Sequence, residues 1–231
     1  MDIDLTRQSC VPLVATGAAA GPEEFGPGFR ETLYELFRWR RDVRHFATDP
    51  IPDDAVEQCL DAACLAPSVG LSQPWRFVSV DAADNRTAVA ENFTRANADA
   101  LAGYSGERAK LYATLKLAGL RDAPRQLAVF CDEGTTQGAG LGQRTMPEML
   151  RYSVVTAVFS FWLHARAHGI GVGWVSILDP VGVARQLEVP PDWKLVAYLC
   201  VGRPLDRHET PELHRVGWQQ STPVGRRVLR R

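Results

Sequence analysis

One long apolar segment, residues 152–168, limits the possible folds of this chain more than any other sequence feature. It contains the run VVTAVFSFWLHARA, and winding it as a helix leaves hydrophobic side chains around most of the circumference. The segment is shorter than the roughly 20 apolar residues that a membrane-spanning helix needs. We therefore predict a helix that ends at Gly169 and is buried nearly all round, with the rest of the chain packed about it.

The flanking sequence predicts an α+β protein with a short sheet inside a helical shell. Alternating or continuously apolar runs predict four strands, at residues 76–80, 127–131, 173–178 and 195–202. Helices are expected from Gly28, from Asp53 as an N-cap, and over residues 84–120. Residues 1–27 are rich in Gly, Ala and Pro and are predicted to be a flexible leader, which leaves residues 28–231 as a single domain.

The composition limits which binding partners and which cellular compartment are expected. The formal net charge is -1, which gives no electrostatic reason to expect nucleic acid or a membrane surface as a partner. The five cysteines include no CxxC pair, so we predict free thiols in a reducing compartment, and a cytoplasmic protein. We predict no metal site, because the pair His164 and His168 is more typical of a helix end than of metal ligation.

Arginines cluster where a helix is predicted to end. Arg40, Arg41 and Arg44 surround Asp42 and Val43, and Arg203 follows Gly202 at the end of the clearest predicted strand. Guanidinium groups and close backbone approach suit a phosphate monoester, whereas the alternative is a solvated run of charge.

A stiff loop follows the second predicted helix. Its sequence, PSVGLSQPW over residues 67–75, carries two prolines and several hydroxyl and amide groups. Such a loop can present fixed hydrogen-bonding groups to a flat heteroaromatic ring, although it could equally be an ordinary helix-to-strand connector. Neither a GxGxxG nor a GxSxG motif is present, and Ser176 taken alone is better explained as a small hydroxyl that is hydrogen-bonded within the sheet.

Five segments together resemble the flavin-destroying branch of the nitroreductase superfamily. They are RRDVRHF (40–46), APSVGLSQPWRF (66–77), SGERAKLY (105–112), GVGWVSIL (171–178) and YLCVGRP (198–204). The resemblance covers the chain from about residue 30 to residue 220. Ordinary nitroreductases usually carry Ser in place of Asp42 and Asn in place of Leu71, and both departures are shared with the flavin-destroying branch.

The resemblance implies a nitroreductase-like fold with a mainly antiparallel sheet, and a homodimer with exchanged C-terminal tails and flavin at the subunit interface. It implies that reduced FMN is consumed as a substrate with O₂, giving 5,6-dimethylbenzimidazole for cobalamin and a four-carbon sugar phosphate. A separate flavin reductase could supply the reduced FMN. The alternatives are an NAD(P)H-dependent FMN reductase and a flavin-binding protein without catalysis.

The resemblance also implies roles for individual residues. Asp42 and Ser176 match the positions associated with flavin cleavage, and Ser68 and Leu71 would lie against the isoalloxazine. The remaining predicted flavin contacts are Arg40, Arg41, Val43, Arg44, Pro67, Val69, Val175 and Arg203. Residues 97–144 are the predicted lid that excludes water. We expect the neighbouring arginines to lower the pKa of Asp42 and keep it ionised, as a base acting on a ribityl hydroxyl requires.

Overall fold

Eight α-helices and four strands build the part of the chain that the structure, a computed structural model, describes: residues 24–115, 118–222 and 228–230. The predicted leader lies mostly outside these residues. The helices are α1 Pro27–Trp39, α2 Asp53–Cys64, α3 Ala83–Ala102, α4 Gly106–Thr114, α5 Gly119–Asp122, α6 Met149–Ala167, α7 Pro180–Gln186 and α8 Glu212–Arg215. The strands are β1 Trp75–Ser79, β2 Arg125–Asp132, β3 Gly171–Val175 and β4 Trp193–Gly202.

The four strands form one antiparallel sheet in the order β1-β2-β4-β3. Because successive side chains of a strand point to opposite faces, the sheet supplies two cores. One face packs on α2 and α6 through residues such as Val129 and Leu199, and the other packs near α3 and α7 through Phe130 and Tyr198. The predicted α+β architecture with a mainly antiparallel sheet between helices is confirmed.

Helix α6 is the element that the apolar segment predicted, and its burial differs from the prediction on one side. Eight of its residues are buried, including Val154, Phe161 and Trp162. Tyr152, Val155 and Phe159 are instead 52%, 39% and 41% exposed. These three positions follow helical spacing and form an apolar stripe on the outer surface of the chain. The prediction of burial nearly all round is therefore wrong for this stripe within one chain.

Several predicted boundaries are corrected. The helical region 84–120 is divided into α3, α4 and α5, with Gly103 closing α3 and Gly106 at a positive φ of 57°. Strand β3 ends at Val175, so Ser176 lies beyond the sheet. Asp53 is the first residue of α2 and Pro52 is its N-cap. Strand β2 lies inside the predicted lid range 97–144 and in the middle of the sheet, so only the residues on either side of β2 could move as a lid.

A buried polar network joins the sheet to the segment that precedes β2. The Tyr198 hydroxyl donates to Gln126 Oε1 at 2.6 Å, and Gln126 Nε2 donates to the Leu120 carbonyl at 2.9 Å. Because Gln126 and Tyr198 are fully buried, these hydrogen bonds fix α5 against β2 and β4.

The cysteines agree with the prediction of free thiols at three positions and depart from it at one. Cys59, Cys131 and Cys200 are free and buried, as predicted, whereas Cys64 is disulfide-bonded and departs from the prediction. In the described residues, no helix combines the length and the apolar character that crossing a bilayer demands.

Candidate flavin site

The arginine-rich turn, residues 40–44, lies directly on the edge strand β3. Asp42 forms a parallel bridge with Val172, and the Val43 amide donates to the Val172 carbonyl at 3.1 Å. A Cβ atom added to Gly173 would lie 2.1 Å from the Val43 carbonyl oxygen, and one added to Gly171 would lie 2.8 Å from the Val43 side chain. The two glycines of the GVGW sequence therefore allow the turn to approach the strand closely.

The Asp42 carboxylate is held by the backbone of the same strand. Its Oδ1 accepts a hydrogen bond from the Trp174 amide at 2.9 Å, and its Oδ2 lies 3.6 Å from Arg44 Nε. Asp42 lines a small cavity beside Val175 and Cys200, and its side chain remains 40% exposed. The carboxylate is thus oriented by protein atoms on one side and open on the other.

The expected effect on the Asp42 pKa is corrected by the structure. Desolvation by burial raises the pKa of this carboxyl and outweighs the hydrogen bond from Trp174 and the charge of Arg44, both of which lower it. Glu212 of α8 adds a smaller repulsive effect in the same direction as burial. Asp42 is therefore a stronger base than an exposed aspartate.

The four predicted arginines lie around this turn in different environments. The Arg40 guanidinium lies 4.8 Å above the Trp162 ring, and Arg41 Nε donates to the Glu209 carbonyl. The Arg44 side chain is only 12% exposed, and its Nε has no hydrogen-bond partner among the described residues. Arg203 is exposed, and the Ala47 amide donates to its carbonyl at 2.9 Å, which brings it beside the turn.

Further cationic groups border the same turn and were missed by the sequence reasoning. Arg166, Arg207 and His208 line a cavity together with Arg41. Arg207 and His208 lie in the stretch of tail that the sequence analysis treated only as polar. Their proximity to Arg41 follows from the pairing of Phe46 with Pro204, which no local pattern indicates.

The proline-bounded loop is supported by α6 and by the loop that follows β2. The Val69 amide donates to Ser153 Oγ at 3.0 Å, and Thr156 Oγ1 donates to the Pro67 carbonyl at 2.9 Å. Within the loop, the Gln73 amide donates to Ser68 Oγ at 3.1 Å. Leu71 adopts a positive φ of 55° and is 71% exposed, so this loop presents an apolar side chain outward.

Ser176 lies just after the last paired residue of β3. Val175 pairs with Tyr198 and is buried, whereas Ser176 is exposed. Its hydroxyl makes no hydrogen bond with the described residues, so the alternative of a serine bonded within the sheet is wrong. Ser176 and Asp42 belong to the same end of the molecule, because Val175 and Asp42 line one cavity.

Within the single chain, the arginine turn and the proline-bounded loop do not meet. No hydrogen bond or ion pair joins residues 40–44 to residues 67–71 in the described chain. The loop contacts α6 at Ser153 and Thr156, whereas Arg40 contacts α6 at Phe159 and Trp162. The two sets of contacts are adjacent along the helix: Thr156 and Phe159 are separated by about 4.5 Å, and Thr156 and Trp162 by about 9 Å, at ~1.5 Å per residue.

The side chains present fit a phosphorylated flavin in chemical type. The arginines around the turn suit a phosphate, although Arg44 Nε itself lies 3.6 Å from Asp42 and 3.8 Å from Glu212, and the loop offers backbone groups and an apolar side chain to a ring. The nearby Cys200 is not a nucleophile, because burial raises the pKa of its thiol to about 12. The arrangement therefore offers one carboxylate base and one exposed hydroxyl as reactive groups.

Solved structures identify the class of fold to which this chain belongs, which is the nitroreductase-like fold. Oxidised iodotyrosine deiodinase bound to FMN and 3-iodo-L-tyrosine aligns with a TM-score of 0.67 and 24% identity, over 86% of this chain and 97% of that one. A nitroreductase-like protein from Streptococcus mutans aligns with a TM-score of 0.65 and 18% identity, over 88% and 100% of the two chains. At these identities the likeness shows the fold.

The chain belongs to the Nitroreductase family, whose family model matches residues 37–203. Within the family it is similar to enzymes named 5,6-dimethylbenzimidazole synthase. One from Rhodospirillum rubrum is 59% identical over 86% of this chain and 94% of its own length. Another, from Rhodobacter capsulatus, is 48% identical over 84% of this chain and 94% of its own length.

Proposed function

We propose that this chain carries out the O₂-dependent fragmentation of reduced FMN to 5,6-dimethylbenzimidazole, the lower ligand of vitamin B12, and a four-carbon sugar phosphate. The observation that carries the proposal is the Asp42 carboxylate, which the Trp174 amide orients beside the arginines that suit the flavin phosphate. The identity of 59% to a 5,6-dimethylbenzimidazole synthase supports the same reaction.

Binding of the flavin divides between two sets of residues. The arginine turn, with Arg203, binds the phosphate and the ribityl end, since the guanidinium groups carry several donors each and Arg203 is exposed. Pro67, Ser68, Val69 and Leu71 form the surface for the ring, and Val175 and Ser176 border it at the end of β3. The reduced flavin supplies the electrons for the reaction with O₂ and is itself consumed.

Asp42 acts as the base on the sugar chain. Cleavage between two ribityl carbons resembles a retro-aldol reaction, in which a hydroxyl proton is removed. The Trp174 amide occupies Oδ1, whereas Oδ2 lies 3.6 Å from Arg44 Nε and is the oxygen that would accept such a proton; the raised pKa of Asp42 makes the transfer more favourable. Ser176 orients the flavin or passes a proton near the reactive edge of the ring.

A homodimer completes the site. The apolar stripe of Tyr152, Val155 and Phe159 runs along α6 beside the residues that contact the loop, Ser153 and Thr156, and reaches Arg40 of the arginine turn at Phe159. A two-fold axis perpendicular to α6 pairs the two stripes in opposite directions, so that the N-terminal half of one helix meets the C-terminal half of the other. The loop of one subunit then faces the arginine turn of its partner, with FMN between them.

The C-terminal tail contacts its own subunit in the described residues. Arg38 pairs with Glu209, and Arg108 Nη1 donates to the Trp218 carbonyl at 2.7 Å. These contacts do not support an exchanged tail up to Trp218, and exchange stays a prediction only for the residues that follow. Trp218 also packs on Tyr104 and Tyr112, so it lies against the first half of the proposed lid.

The decisive experiment is a single-turnover incubation of the protein with reduced FMN in air, followed by mass analysis of the small molecules. We expect loss of FMN and formation of 5,6-dimethylbenzimidazole with an equal amount of a four-carbon sugar phosphate. Recovery of intact FMN together with NAD(P)H-dependent turnover of a nitroaromatic would instead identify a reductase. Intact FMN and hydrogen peroxide alone would identify a flavin-binding protein without this activity.

A further inference from the structure

Asn92 of α3 makes two hydrogen bonds to the backbone of Asp179, and the proposed reaction assigns them no role. Its side chain is buried, with 6% of the residue exposed. Asn92 Nδ2 donates to the Asp179 carbonyl at 3.1 Å, and Asn92 Oδ1 accepts from the Asp179 amide at 2.8 Å. One amide side chain thus satisfies both backbone groups of a single loop residue, which holds that residue in one orientation.

Asp179 is tied down on its other side as well. Its Oδ1 accepts from the Val181 amide at 3.0 Å and caps α7. A Cβ atom at position 182 would lie 2.9 Å from Asn92 Nδ2 and 2.6 Å from Asp179 Oδ2, so Gly182 leaves the space in which the amide and the cap coexist. The lack of a side chain at Gly182 therefore leaves room for the Asn92 amide beside Asp179.

Ser176 lies between this anchor and the sheet. Strand pairing ends at Val175, opposite Tyr198; Leu178 then packs against the core, and Asp179 is the next residue whose backbone is hydrogen-bonded. The Ser176 hydroxyl has no hydrogen bond of its own among the described residues, so its position is determined by the backbone anchors on either side. One anchor is β3, and the other is Asn92.

We infer that Asn92 is a positioning residue for Ser176, acting through the backbone of Asp179. Helix α3 runs from Asn92 into the first half of the proposed lid. The same hydrogen bonds therefore connect the helix that leads into the lid to residues 176–179. Loss of the Asn92 amide allows residues 176–179 to shift, and a small displacement of a catalytic group is enough to lower its effect strongly. This inference rests on the proposed function.

The test measures how reduced FMN is partitioned, with protein in excess over FMN and a single turnover in air. In Asn92→Ala we expect an unchanged dissociation constant for FMN, a roughly tenfold lower yield of dimethylbenzimidazole per flavin consumed or oxidised, and a matching rise in hydrogen peroxide. Asn85→Ala is the matched control, because Asn85 also lies on α3 and bonds to the end of α7 through Gln186. It should leave the partition unchanged.

A double-mutant cycle with Ser176→Ala separates positioning from general loss of structure. If Asn92 acts through Ser176, Asn92→Ala changes the partition less than about twofold once Ser176 is already alanine. Fully additive effects of the two substitutions would overturn the inference. If Asn92→Ala does not fold, Gly182→Ala tests the same contact by crowding the amide, and an unchanged partition in that variant overturns the inference too.

The proposed function can fail separately from this inference. A wild-type protein that forms no dimethylbenzimidazole refutes the function, whatever the Asn92 variants do. A wild-type protein that forms it, with an Asn92→Ala variant whose partition equals that of the wild type, refutes only the positioning role.

Discussion

At Asp42, burial and charge act on the carboxyl pKa in opposite directions, and burial is the larger effect. If Asp42 is the base, product formation requires its ionised form and falls as the pH drops through this raised pKa. We expect the acid limb of the pH profile to lie above the range of an ordinary aspartate. Measuring the single-turnover rate against pH checks this, and a rate that is flat down to the usual carboxyl range contradicts the role.

Replacing the Asp42 carboxylate by an amide should abolish cleavage while preserving flavin binding. Asn at position 42 can still accept from the Trp174 amide, but it cannot take up a proton. We expect Asp42→Asn to lower the rate of product formation by at least ~100-fold, the usual contribution of a general base. FMN titration should give an affinity close to that of the wild type. Asp49→Asn, an exposed aspartate after the same turn, serves as the control and should retain full activity.

The same substitution should stabilise the flavin-free protein at neutral pH. A carboxyl whose folded pKa lies above its unfolded value binds its proton more tightly in the folded state, so stability falls as pH rises through the interval between the two values. Asp42→Asn removes that loss. Its free energy of unfolding in urea should exceed that of the wild type at pH 7, and the difference should shrink as the pH is lowered through the carboxyl range. A variant that is less stable than the wild type at pH 7 would show that the Arg44 contact outweighs burial.

At the scale of elements, the arginine turn depends on the lack of a side chain at Gly173. A methyl group there would lie 2.1 Å from the Val43 carbonyl oxygen, so the turn or the strand must move. We expect Gly173→Ala to lower the free energy of unfolding by ~1–3 kcal/mol and to weaken FMN binding. Gly28→Ala is the matched control, since nothing lies within 4 Å of a Cβ atom at that position. Thermal unfolding and FMN titration of both variants measure the contrast.

The strands and long helices were predictable because each carries its own pattern of apolar residues. The exact end of β3 was not, since GWVSIL stays apolar on both sides of Ser176 and the strand ends where its pairing with β4 ends. Helix α7 and the hydrogen bonds between Asn92 and Asp179 were missed for a related reason. The Asn92 side chain that holds Asp179 comes from 87 residues earlier in the chain, and no local pattern records such a contact.

For the whole molecule, the sequence predicts which residues form the candidate site but not how they are distributed. Sequence motifs predict that Arg40 and Leu71 belong to one flavin site, yet in a single chain their segments contact opposite halves of α6. The apolar pattern of α6 likewise indicated that Phe159 would be covered, without saying by what. A second copy of the chain on this surface accounts for both observations.

Disrupting the apolar stripe should therefore separate the subunits and remove flavin binding together. Phe159 is 41% exposed and stacks on Phe37 with ring centroids 6.2 Å apart. We expect Phe159→Glu to be monomeric in sedimentation, to keep its circular dichroism spectrum, and to bind FMN at least ~100-fold more weakly, because a charge is unfavourable in an apolar interface and the new carboxylate would compete with the phosphate for Arg40, 5.9 Å from this ring. Val181→Glu, at an exposed apolar position on α7, should remain dimeric. A Phe159→Glu dimer with normal flavin affinity would place the interface elsewhere.

Whether each site draws on two subunits can be tested by complementation between inactive variants. Asp42→Asn removes the proposed base, and Leu71→Asp places a charge on the loop surface that faces the ring, at a position that is 71% exposed and tolerates the change in the folded subunit. In a dimer formed from one subunit of each kind, one site contains both substitutions and the other contains neither. Random reassociation of equal amounts makes half of all dimers mixed, so about a quarter of the wild-type activity should return. Homodimers of either variant should stay inactive, and mixing without any gain would mean that Asp42 and Leu71 serve a site within one chain, or that Leu71 lies outside the site.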